Sequence, residues 1–160
     1  MNFDTFLSNL ETLEKSISIV LVEGEEGEED TTLDVQRVFW GAPPDAISDL
    51  PCFVNALTEG ERVLGFGSRD QRLQVNVQLF VKRARIEDTE SARNATAFWY
   101  AAKDAFDRDT TIGDSVPFST LRGATPTVPV ILSHAGQAYI GFNAVLDIHD
   151  VEEFSFEAVE

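Results

Sequence analysis

The stretch Gln71-Arg72-Leu73-Gln74-Val75-Asn76-Val77-Gln78-Leu79-Phe80-Val81-Lys82 alternates with a period of two. Leu73, Val75, Val77, Leu79 and Val81 fall on one face, and Gln74, Asn76, Gln78 and Lys82 on the other, as a strand with one buried side requires. Arg83-Ala84-Arg85-Ile86 comes next, and then an Ala-rich segment with helical spacing over residues 89–106. There Ala92, Ala95, Trp99, Ala102 and Phe106 form one stripe, widened by Phe98, Ala101 and Ala105. Asp88 is placed to cap this helix, and Glu90 lies in its first turn. Beyond it, residues 128–132 and 138–148 predict a hairpin around the turn at 133–137, with Ile140, Phe142, Ala144, Leu146 and Ile148 on one face.

Working outward, Phe3, Phe6, Leu7, Leu10 and Leu13 predict an amphipathic helix over residues 3–15, with Asn2 as its cap. The β-branched run at 17–22 tilts toward extended structure. Residues 23–30 hold six acids and two glycines and predict a solvated acidic loop. Leu33, Val35 and Val38-Phe39-Trp40 predict a strand stopped by Gly41-Ala42-Pro43-Pro44, and residues 50–57 a short strand entered through Pro51. Glu59-Gly60-Glu61 reads as a turn and residues 62–67 as a short hairpin arm. Gly113 and Pro117 break the segment after the second helix, and Phe154 and Phe156 suggest a last short strand. The expected fold is α+β: a mixed or antiparallel sheet with an N-terminal helix and one central helix packed on it, and β-hairpin arms. It is expected to be one domain over residues 1–160, with an acidic extension at 150–160.

At 160 residues and 43% hydrophobic content the chain can bury a core without staples. Its one cysteine, Cys52, has no disulfide partner within the chain and reads as a buried thiol. No apolar run approaches the ~20 residues that cross a bilayer, and Met1-Asn2-Phe3-Asp4 lacks the basic start of a secretion signal. A soluble protein without a membrane partner is expected. The net charge of −16 is unevenly spread. Residues 1–61 carry 14 acids and 2 bases (−12), residues 62–122 carry 8 acids and 10 bases (+2), and residues 123–160 carry 6 acids and no base (−6). Such a balance repels a nucleic-acid backbone at long range and argues against sequence-specific DNA reading.

The residues offer little chemistry. His134 and His149 lack metal-binding spacing with each other or with Cys52, and no nucleophile motif accompanies His149-Asp150. Asp104, Asp107 and Asp109 match no calcium loop. Gly65-Phe66-Gly67 and Gly123 lack the Lys-Ser/Thr and following helix of a phosphate loop. No catalytic, cofactor or metal site is expected, and the chain is not expected to be an enzyme. What stands out is the basic set Arg62, Arg69, Arg72, Lys82, Arg83 and Arg85 at the two ends of the long strand. Between acidic flanks, these residues suit either docking of another copy's acidic surface or pairing within their own subunit.

The order of these pieces resembles the tail terminator family of long-tailed bacteriophages. The likeness rests on the helix at 3–13, on Asp49-Leu50-Pro51-Cys52-Phe53-Val54 before a glycine-marked hairpin, on the strand at 73–81, on the helix at 88–106, and on Gln137-Ala138-Tyr139-Ile140-Gly141. It implies a protomer that forms a homo-oligomeric, hexameric ring, ends the growing tail tube, and offers the head-joining surface. The partners implied are the tail tube protein and head–tail connector or neck proteins, in a virion neck assembled in the host cytoplasm. DNA would pass through without specific binding. The acidic loop at 23–30 and the extension at 150–160 depart from the family pattern; on physical grounds apart from the resemblance, Glu23, Glu25, Glu26, Glu28, Glu29 and Asp30 are expected to face the lumen, where a negative wall avoids adhesive phosphate contacts. The alternatives are another connector or tail-completion protein, or an acidic DNA-mimic inhibitor.

Overall fold

The computed structural model describes residues 2–22, 31–58, 62–64, 68–84, 89–123 and 129–153, with the backbone alone for 22, 31, 62–64, 68–72, 89–91 and 150–153. In chain order the elements are α1 (Phe3–Lys15), β1 (Ser18–Val22), β2 (Thr31–Asp34), β3 (Arg37–Trp40), β4 (Cys52–Thr58), β5 (Arg62–Leu64), β6 (Ser68–Arg83), α2 (Thr89–Arg108), β7 (Phe118–Gly123), β8 (Val130–His134) and β9 (Gln137–Glu153). The fold is α+β, as the patterning predicts.

The alternating stretch lies within β6, which pairs antiparallel with β9 from Ser68↔Glu153 to Arg83↔Tyr139. These two long strands form the centre of the main sheet, whose order is β3-β4-β6-β9-β7. β4 and β5 flank successive parts of β6, while β7 and β8 flank successive parts of β9. Beyond the ends of β4 and β7, a narrower extension of β5, β6 and β9 continues, in the place of the expected arm. β1 and β2 form a separate antiparallel pair.

The predicted inner faces are buried. Val75, Val77, Leu79, Phe142, Leu146 and Ile148 meet Ala95, Phe98, Trp99, Ala102 and Phe106 of α2, together with Phe6 and Leu10 of α1. Burying Phe98 or Trp99 contributes about 2–3 kcal/mol each. The small alanines let α2 approach the strands, and the Trp99 ring stacks on Phe142 at 5.3 Å. A Cβ at Gly123 would overlap the Trp99 ring, so glycine ends β7 beneath it. α1 begins as its sequence suggests, with Asn2 Oδ1 accepting from the Thr5 amide at 3.2 Å.

Three boundaries differ from expectation. The single strand expected over 33–40 is two strands in different sheets. The chain passes between them at Val35, which is buried in the core and donates its amide to Ile17 O at 3.2 Å. β7 was not predicted: Pro117 ends the preceding turn and immediately precedes the strand. β9 runs on to Glu153, so the first residues of the expected acidic extension are strand. The acidic loop 23–30, the turn 59–61, Asp88, Phe154 and Phe156 lie outside the described residues.

Candidate functional site

Both helices lie on one face of the main sheet, and among the described residues the opposite face is covered only at one end. There the connection between β3 and β4 folds over the strands, and Ile47 packs with Cys52, Val54, Phe80, Leu132 and Tyr139. The Tyr139 hydroxyl accepts from the Ile47 amide at 3.0 Å, and His134 Nε2 lies 3.1 Å from Asp45 O. His134 thus ties the β8–β9 turn to this covering segment. That turn places Ala135 and Gly136 at φ +48° and +73°, the geometry of a tight two-residue hairpin.

Where the cover stops, the sheet opens into a depression of about 480 Å³ lined by Ala56, Asn76, Gln78, Arg122, Asn143 and Val145 among others. Its side chains form polar rows across the strands. Gln74 Nε2 donates to Asp147 Oδ1 at 2.8 Å, Gln78 Nε2 donates to Asn143 Oδ1 at 2.9 Å, and Arg122 pairs with Asp147. The period-two alternation marked Gln74, Asn76 and Gln78 as a polar face, but their partners on β9 and β7 depend on cross-strand register.

The structure divides the basic candidates between the two ends of β6. Arg62 stands opposite Gln71, Arg69 opposite both Leu64 and Glu152, and Arg72 opposite His149, all near the three-stranded extension. Lys82 and Arg83 are exposed at the other end, roughly 40 Å along the strand at its usual rise. Arg85 lies outside the described residues. The opposition of Arg69 and Glu152 in the ladder sets unlike charges across from one another within one subunit.

The acidic, histidine and cysteine candidates of the sequence occupy structural positions. Asp104 pairs with Arg108 at 2.7 Å and Lys103 with Asp107 at 2.7 Å, both one turn apart on α2. Asp109 Oδ2 accepts from the Gly113 amide at 2.8 Å and fixes the turn after α2. His149 lies 6.0 Å from the Phe118 ring. Cys52 is buried, and burial, reinforced by nearby Asp49, pushes its thiol up to about 12. Among the described residues no cluster of three or more His, Cys, Asp or Glu side chains could hold a metal ion. No described helix is long and apolar enough to cross a membrane.

A buried acid escaped the sequence reading. Glu14, on the inner side of α1, is fully buried and accepts from Asn55 Nδ2 of β4 at 2.8 Å. Burial pushes its carboxyl up to about 8; the Asn55 hydrogen bond opposes this, and the Glu11 charge adds to it.

No protein-family model matches the chain, and no curated protein matches it in sequence.

Proposed function

We propose that this chain is a structural ring subunit of a bacteriophage neck, of the tail terminator kind, that ends the tail tube and presents the head-joining surface. The observation that carries this reading is the pair of unlike open flanks of the main sheet. Among the described residues, β3 pairs only with β4, while β7 and β8 pair only with β9. One flank is therefore a short strand running parallel to its neighbour. The other is two antiparallel strands laid end to end. Two different flanks, each complementary to the other and not to itself, are what head-to-tail closure into a ring needs, whereas a twofold dimer uses one patch twice. In this reading DNA passes through the ring without specific binding.

The test is negative-stain electron microscopy and native mass spectrometry of the purified chain, alone and mixed with tail tubes. Rings of a single subunit number that cap tube ends are expected. A chain that stays monomeric at high concentration and leaves tubes bare overturns the proposal. Rings that bind a connector but never a tube favour another neck protein.

A further inference from the structure

Two buried oxygens on facing side chains lack partners: Glu14 Oε1 and Asn55 Oδ1. The remaining polar atoms of the same two groups already meet, Asn55 Nδ2 donating to Glu14 Oε2 at 2.8 Å. An ionised carboxylate offers only acceptors, so it leaves the Asn55 oxygen without a donor and a charge without solvent. One proton on Oε1 answers both deficits, because a carboxylic acid and a primary amide pair through two complementary hydrogen bonds.

We propose that Glu14 and Asn55 form a proton-dependent clasp. In it, neutral Glu14 donates from Oε1 to Asn55 Oδ1 and accepts from Nδ2 at Oε2, locking the last turn of α1 onto β4. Loss of that proton to solvent breaks one bond and leaves a buried anion, so α1 loosens while the hydrogen-bonded sheet beneath it stays intact.

The surrounding charges do not supply a counter-ion. On α1, Glu11 and Lys15 pair with each other at 2.6 Å, and Glu11 acts on Glu14 as a like charge. β4 and β1 carry no charged residue, and Asp34 is the charge of β2. β3 brings Arg37, which is exposed and engaged with Asp49 at 3.2 Å. The described charges of α2 and the following turn are Arg93, the pairs Lys103–Asp107 and Asp104–Arg108, and Asp109 and Asp114.

Proton linkage sets the sign. The native state holds the proton up to about pH 8 and the unfolded chain releases it near 4.5, so stability is fullest below 4.5 and declines until about 8. The unfolding constant of the full-length protein gains about a factor of ten per pH unit over that window from this group alone. In Glu14→Gln, whose amide reproduces both bonds without a titrating proton, that increment is absent. Urea titrations from pH 5 to 8 compare the two, and parallel pH profiles overturn the clasp. Carbon-13 NMR of the wild-type Glu14 carboxyl is expected to titrate near pH 8, and a midpoint near 4.5 overturns it even if the variant fails to fold. At pH 9, amide exchange in α1 is expected to be faster in wild type than in Glu14→Gln, with the sheet unchanged. Equal α1 exchange in the two proteins removes the loosening step.

Discussion

Gly141 has no room for a side chain. A Cβ there would overlap the Leu79 carbonyl oxygen and press on Leu132, beside the irregularity in β6 between Phe80 and Lys82. Gly141→Ala is expected to cost about 3 kcal/mol through forced strand displacement, read as a lower urea midpoint. Cys52 makes the opposite kind of prediction. With its thiol pushed up to about 12, it stays protonated at pH 8 and is expected to resist a thiol-specific reagent until the protein unfolds. Rapid labelling of the native protein would contradict that burial. Ile112, Gly113 and Asp114 run consecutively at φ +48°, +61° and +58°. Gly113 is read easily as a breaker, but a buried β-branched residue at positive φ is not. Its conformation is held by Asn9 of α1, which donates to the carbonyls of Ile112 and Gly113. Glu14 was hidden for a related reason: it sits four residues after buried Leu10, yet its charge argues for solvent until its partner from β4 is seen.

At the level of elements, the β3–β4 connection is held over the sheet by few groups, and Tyr139 is central among them. Tyr139→Phe keeps the edge-on packing against Phe80 and leaves the Ile47 amide without its acceptor. An unmet buried donor costs about 1–3 kcal/mol, and amide exchange is expected to rise first in residues 42–51. Elements whose patterning spans many residues were legible: α1, β4, β6, α2 and the β8–β9 hairpin. β7 was not, because its inner face consists of only Ser119, Leu121 and Gly123, with one large apolar side chain among them. A strand so short takes its identity from pairing with β9, which a local pattern does not carry. The split between β2 and β3 escaped for the same reason, since the switch of sheets at Val35 is a tertiary choice.

For the whole molecule, the assembly reading predicts behaviour that stability alone does not. Ile131 is 63% exposed on the flanking strand β8, beside exposed Val130. Ile131→Lys is expected to leave the unfolding free energy from urea titration within about 0.5 kcal/mol of wild type, as surface changes do. It should also suppress ring formation, because a lysine on an open edge disfavours strand addition. Unaltered assembly would show that this flank is not used. The overall class was legible because one alternating strand and one striped helix demand a sheet with one covered face. The candidate surface was legible as residue types and as their division between the ends of one strand, and the five described basic positions keep that division, but their cross-strand neighbours were not legible because register is set by tertiary pairing. The parallel placement of β3 has a directional consequence. After Trp40 the chain must walk back the length of a strand before entering β4, and that return path is the roof over one end of the bare face. It also fixes the polarity of the outermost rail, so a neighbouring subunit's strand added there meets the same heading as β4, and a loop too short for the return would reverse that heading.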